Sequence, residues 1–205
     1  MSPEIVIGVD LDNTLICYDE LFFRAAADEG LIDESSPRSK ERIREIIRGL
    51  PNGESRWTRL QAIVYGPRIT GATLFEDVGT FFGHCSAARI QTRIVSHKTP
   101  FAMLDGTRVD LRTSALAWMK ANGFFDRFAL SPADVFFEAT RAEKIARIQA
   151  LGCTHFIDDL AEVFCETAFP GNVVKLLFAP HGTDFSLPSV HACKSWQEID
   201  GFFFP

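Results

Sequence analysis

Two aspartates stand one residue apart near the start of the chain, in "EIVIGVDLDNTLI" (residues 4–16). Asp10 and Asp12 follow an apolar run, Ile5 to Val9, that reads as a strand. Alternate side chains of an extended chain share a face, so the two carboxylates point the same way. Like charges this close repel unless a cation or a proton comes between them. The pair suits a site where a metal and a nucleophile meet. The plainer alternative is a turn in which Asp, Asn and Thr bond the local backbone at a strand end.

Three other places carry matching chemistry. "FIDDL" ends an apolar run on Asp158 and Asp159, and "RIVSHK" ends another on Ser96, His97 and Lys98. Lys144 precedes the acidic pair by one helix, near that helix's start. A carboxylate can attack phosphorus and form an aspartyl phosphate. Magnesium takes hard oxygen ligands and offsets charge on carboxylates and phosphate alike. A hydroxyl and a lysine can bind the remaining phosphate oxygens. These are the parts of phosphoryl transfer. Lys98, beside Ser96, competes with Lys144 for the lysine's place. The histidines are scattered with no H-x-x-x-H pair, which argues against a histidine metal site. No G-x-G-x-x-G follows the first strand, which argues against a dinucleotide enzyme.

The elements that must position these groups alternate in type. Strand-like runs recur at residues 5–9, 92–96, 154–157 and 173–178, with a weaker one near 127–130 or 134–137. Between them, "RTSALAWMKANGF" and "TRAEKIARIQALGC" carry apolar residues at helical spacing and stop at Gly123 and Gly152. Such alternation predicts an α/β fold, a Rossmann-like, doubly wound parallel sheet covered on both faces. Ligands of such sheets bind at the carboxyl ends of the strands, where Asp10, Ser96 and Asp158 stand. Residues 17–75 break the pattern: "KERIREIIRGL" and "SRWTRLQAIVYG" read as helices, with no convincing buried strand. "ATLFEDVGTFFGHC" reads as a helix returning the chain to the sheet. The expected division is a core of residues 1–16 and 76–205 with a small helical insertion at 17–75. The terminal "GFFFP" is expected to pack against the core.

With 205 residues and 46% hydrophobic content, the chain can bury one sizeable core. A net charge of −6 without a basic run argues against nucleic acid as a partner. No stretch is long enough to span a membrane, and the start, "MSPEIVIGVD", has no secretion-signal pattern. The five cysteines, with no C-x-x-C pair, fit reduced thiols in a cytoplasm.

On "VDLDNTL", "RIVS", Lys144 and "FIDDL", in that order, the chain resembles the haloacid dehalogenase superfamily, most of all its magnesium-dependent phosphatases. The match covers roughly residues 4–16 and 76–180 and implies a role for each position. Asp10 is the nucleophile and a metal ligand. Asp12 is the general acid and base, its backbone carbonyl also touching the metal. Ser96 and Lys144 hold phosphoryl oxygens; Asp158 and Asp159 complete the magnesium site. The resemblance places the phosphate-binding lysine before the acidic pair, which favours Lys144 over Lys98. The dehalogenase branch lacks an acid at Asp12, which disfavours carbon–halogen chemistry. The expected activity is hydrolysis of a small phosphorylated metabolite, with the insertion as a cap over the site. A phosphotransferase or phosphomutase of the same fold, or a non-catalytic regulatory member, is the alternative. A receiver module is disfavoured because its acidic pair comes first in the chain. Arg56, Arg59 and Arg68 lie in or beside the insertion, where they either grip an anionic substrate or form a solvated face. Trp57 and Tyr65 either stack on substrate or pack in the core.

Overall fold

In a computed structural model, residues 4–182 and 188–205 are described. The chain opens with β1 (Val6–Val9) and turns through Asp10–Leu15 into the short β2 (Ile16–Cys17). Three helices follow: α1 (Asp19–Asp28), α2 (Lys40–Arg48) and α3 (Gly53–Tyr65). The chain returns through β3 (Thr73–Leu74), α4 (Val78–Ala87) and β4 (Gln91–His97). A hairpin, β5 (Phe101–Leu104) and β6 (Thr107–Asp110), leads into α5 (Leu111–Ala121) and the short α6 (Phe124–Arg127). Then come β7 (Val135–Glu138), α7 (Arg141–Ala150), β8 (His155–Asp158), α8 (Ala161–Cys165), β9 (Val174–Phe178), β10 (Val190–Cys193) and α9 (Trp196–Phe203).

Six strands form one parallel sheet in the order β10-β9-β8-β1-β4-β7. Alternation along the strands divides the core. Ile94, Ile157 and Leu176 face a cluster with Phe81, Trp118 and Trp196 of α4, α5 and α9. Val95, Phe156 and Leu177 face a second cluster with Ile145, Ile148 and Phe164 of α7 and α8. The doubly wound arrangement follows, since both faces of the sheet are apolar and both need covering. Gly8 sits in the middle of β1 because a Cβ there would lie 2.6 Å from the Phe156 ring and 2.9 Å from the Cys153 sulfur.

The weaker strand lies at Val135–Glu138, the second of the two stretches considered. Within "ATLFEDVGTFFGHC" the helix starts only at Val78, because Asp77 takes a left-handed conformation (φ 63°) and Thr73–Leu74 pair with β2. Ladders two residues long, like β2 and β3, show no hydrophobic period in a sequence. The β5–β6 hairpin was also not anticipated. Its turn residues, Asp105 and Gly106, both have positive φ (49° and 78°), the pairing a tight hairpin turn requires. Phe203 and Phe204 of the C-terminal segment are half-buried against the core, while Phe202 remains exposed.

Candidate active site

The sheet register sets the site. Val9 pairs with Ile94 on one side and Ile157 on the other. The residues just beyond, Asp10, Ser96 and Asp158, therefore arrive together at the carboxyl edge. The Asp10 amide still donates to the Ile157 carbonyl (2.9 Å), which holds Asp10 in line with its strand. Beyond it Asn13 turns left-handed (φ 62°), and the Leu15 and Ile16 amides both donate back to the Leu11 carbonyl. That tight loop carries Asp12 and Thr14 back over the strand ends.

Lys144 is placed by its helix cap. The Thr140 hydroxyl accepts from the Glu143 amide (3.1 Å), and the Glu143 carboxylate accepts from the Thr140 amide (2.9 Å). This reciprocal cap starts α7 at a defined residue and sets Lys144 in the first turn. Its stem is buried, and its ammonium donates to Asp10 Oδ1 (2.6 Å) and Asp158 Oδ2 (2.7 Å). The other Asp158 oxygen accepts from the Leu160 amide (3.0 Å). Thr14 Oγ1 donates to Asp159 Oδ1 (3.1 Å) and accepts from the Asp159 amide (3.1 Å). The α9 indole of Trp196 donates to the Thr14 carbonyl (2.9 Å), fixing this loop from behind.

Carboxylate oxygens of Asp10, Asp158 and Asp159 all lie within 4.8 Å of one another. Burial pushes the Asp10 carboxyl up to about 6, against the pull of Lys144 and with Asp158 and Asp12 adding to the rise. Burial, with Asp158 and Asp10 beside it, holds Asp159 well above the ordinary carboxylate range. Lys144 is shifted the other way: burial opposes its charge, but Asp10 and Asp158 outweigh it and raise the ammonium's pKa. One lysine thus leaves the three carboxylates under-neutralised, and their hard oxygens are the donor set a divalent cation such as magnesium prefers.

Asp12 belongs to a different network. Its carboxylate accepts from the Lys98 ammonium (2.6 Å) and from the Tyr18 hydroxyl (2.6 Å). Burial favours its neutral form, yet Lys98 and Tyr18 outweigh burial and hold it below the usual range. Lys98 also sits over the Tyr65 ring, 4.8 Å from its centroid. The Asp12 carboxylate is therefore bonded to Lys98 and Tyr18 and is not among the oxygens gathered from Asp10, Asp158 and Asp159. Lys98 is at the site, but it is bonded to Asp12.

Asp10, Asp12, Ser96, Lys98, Lys144 and Asp159 line one cavity of about 580 Å³; Asp158 lies fully buried behind Lys144. Ser96 is 1% exposed, and its hydroxyl has no protein partner, alone in this among buried side-chain polar atoms of the described residues. His97 lines the same cavity but bonds the Ala139 carbonyl (3.0 Å). The arginines lie elsewhere: Arg59 pairs with Asp105 (3.0 Å) and Glu29, and Arg68 with Asp28. Trp57 is buried against Phe22, while Tyr65 is half-buried and lines the cavity. Tyr18, Thr58, Gln61 and the hairpin escaped the sequence reading. The hairpin alone had a usable signal, the Asp105-Gly106 dipeptide between two apolar runs.

No protein-family model matches the sequence, and no curated protein matches it. Solved structures do match. A hydrolase of this superfamily from Ehrlichia chaffeensis aligns over 100% of this chain and 98% of its own at 15% identity, with a TM-score of 0.57. The chain has the haloacid dehalogenase fold. A second hydrolase of that family, from Deinococcus radiodurans and solved with phosphate and sodium bound, aligns over 97% of this chain and 94% of its own (14% identity, TM-score 0.56). A dehalogenase solved with an intermediate complex aligns over 98% of each chain (11% identity, TM-score 0.61). Hydrolases and dehalogenases thus share this fold, and the residues of the site must decide the chemistry. Among the described residues, no helix is long and apolar enough to cross a membrane.

Proposed function

We propose that the chain is a magnesium-dependent phosphatase that hydrolyses a small phosphomonoester through an aspartyl phosphate on Asp10. The observation that carries this reading is the buried, unpartnered Ser96 hydroxyl, which shares its cavity with Lys144 and Asp10. A buried hydroxyl without a partner costs stability, and a phosphoryl oxygen would satisfy it. The donor set fits magnesium at Asp10, Asp158, Asp159 and the Asp12 carbonyl, and the ion would supply charge offset between Asp10 and the incoming phosphate.

Asp12 takes up a proton from solvent as the phosphate binds; Asp10 then attacks phosphorus, the bond to the ester oxygen breaks, and Asp12 gives that oxygen the proton. Water then attacks the aspartyl phosphate as Asp12 takes a proton back, releasing phosphate and restoring Asp10. Ser96 and Lys144 hold the phosphoryl oxygens throughout. Asp12 is ionised at rest because Lys98 and Tyr18 favour its charged form. An arriving phosphate dianion competes for Lys98 and repels the Asp12 charge, and both effects raise its proton affinity. A leaving alkoxide needs that proton and a leaving halide does not. Asp12, at the cavity and made more basic as the phosphate arrives, therefore favours ester hydrolysis over dehalogenation. The three helices α1–α3 are proposed as a cap that closes over the site and excludes water.

Phosphate release from a panel of small phosphomonoesters, measured with magnesium, with chelator and with Asp10→Asn, tests the reading. Release that depends on magnesium and falls by about 10⁴-fold or more in the variant is expected, since nucleophile losses are of that order. Full activity in a folded Asp10→Asn protein would overturn the assignment.

A further inference from the structure

Beyond Asp10 and Ser96 the cavity runs outward between α3 and the β5–β6 hairpin. One face of α3 supplies a wall: Thr58, Gln61, Ala62 and Tyr65, spaced as neighbours on a helix face must be. Opposite stand Phe101 and Met103 of β5, with Leu111 at the start of α5. Met103 is 63% exposed, Phe101 39%, and Leu160, which also lines the cavity, 43%. They make up half of the large hydrophobic side chains exposed among the described residues, gathered around one opening. An apolar rim concentrated in this way marks a binding surface.

What this outer part lacks is charge. The two lysines of the lining, Lys98 and Lys144, stand at the inner end on the site aspartates, where the phosphate itself is received. Arg59 and Arg68 are paired with carboxylates elsewhere, and Arg56 opens on a separate hollow beside Glu29. Arg108 lies over the Phe101 ring, 3.4 Å from its centroid, and is not part of the lining. Lys40, which bonds Tyr65, and Arg112, whose Nε donates to the Lys98 carbonyl (3.0 Å), are not part of the lining either. A carboxylate or second phosphate placed against α3 and the hairpin would lose its water to a wall whose lining side chains, Thr58, Gln61, Tyr65, Phe101, Met103 and Leu111, carry no charge.

We propose that the leaving group is an uncharged alcohol with an apolar, aryl-sized body and a hydrogen-bonding edge toward Thr58 and Gln61. The substrate then carries one anionic group, its phosphate. The volume, about 580 Å³, is in the range of small-molecule sites. This inference rests on the phosphatase reading and narrows it.

The test compares benzyl phosphate with 4-carboxybenzyl phosphate, esters of nearly equal intrinsic reactivity that differ by one charge. Acetyl phosphate, which needs almost no leaving-group pocket, reports the phosphoryl chemistry separately. With magnesium, kcat/KM for the benzyl ester should exceed that for the carboxybenzyl ester by about tenfold or more, the scale on which a pocket rejects a group it cannot pair. Met103→Lys, at an exposed position, should narrow or invert that ratio. Equal or better use of the carboxybenzyl ester by the parent protein overturns the inference and leaves the phosphatase reading standing. So does turnover of acetyl phosphate with neither benzyl ester hydrolysed. No release from acetyl phosphate or either ester, in folded protein, overturns both.

Discussion

At the inner end of the cavity Asp10, Asp158 and Lys144 are buried and bonded to one another at 2.6 and 2.7 Å. At the outer end Thr58, Gln61, Phe101 and Met103 present a mixed, half-solvated wall with no ion pair of its own. The inner end is fixed by three neighbouring strands and a capped helix, and each group there constrains the next. The outer end is assembled from a helix and a hairpin that are remote in sequence, bridged by the exposed pair Arg59–Asp105 (3.0 Å). Chemistry is placed on the rigid part, and selection is left to the part that can vary.

This contrast predicts that substitutions at the inner end damage rate and fold, and those at the outer end damage affinity. Lys144→Met should have the largest effect. Removing one partner from a buried ionic network costs about 3–5 kcal/mol, so the metal-free protein should melt far lower and phosphate release should collapse. Magnesium should return part of the stability, because the stranded carboxylates gain a cation; thermal melts with and without the ion read this. A variant as stable as its parent would break the contrast.

Ser96→Ala should separate catalysis from stability. Loss of one donor to the phosphoryl group should cost about 10²-fold in kcat/KM. The melting temperature should hold or rise, since a buried unpaired hydroxyl is gone.

The inner end should also answer to pH. Burial lifts Asp10 to about 6, so its protonated form supports the metal-free fold at low pH, a contribution lost as pH rises through about 6. Metal binding has the opposite sign because it needs the carboxylate. The rise in melting temperature on adding magnesium should be full at pH 7.5 and fade below about 6. A magnesium effect undiminished at pH 5 would place the ion elsewhere.

Gln61→Ala should have the smallest effect, a severalfold higher KM for the best substrate with kcat nearly unchanged, the signature of uniform binding lost. A fall in kcat instead would mean that the outer wall also positions the reacting atoms.

The same contrast explains what a sequence can reveal. Asp10, Ser96, Lys144, Asp158 and Asp159 are legible because each stands at a strand end or a helix start whose hydrophobic period is plain, and Asp12 because it follows Asp10 at D-x-D spacing. The sheet's carboxyl edge then gathers them. Tyr18 gave no signal: its bond to Asp12 (2.6 Å) depends on the turn geometry between β1 and α1. Lys98 was seen, but its partner was not, because Asp12 lies 86 residues away along the chain. Thr58 and Gln61 read as ordinary polar positions on an amphipathic helix. Only tertiary packing opposite the hairpin gives that face a purpose.

The smallest ladder in the molecule has a larger consequence. Ile16 pairs with Leu74 and Cys17 with Thr73, and the Phe75 amide donates to the Leu15 carbonyl (3.0 Å). Residues 18–72 therefore leave and re-enter the core at one point, as a loop whose ends are already joined. Seen from the sheet, the whole helical segment is a graft on a two-stranded stem. Lengthening or exchanging such a graft adds little closure entropy. Asp10, Ser96, Lys144 and Asp158 on the sheet can keep their geometry while the segment above is traded for another, provided Tyr18 stays to hold Asp12, and in this fold new selectivity can be acquired by transplantation at the stem.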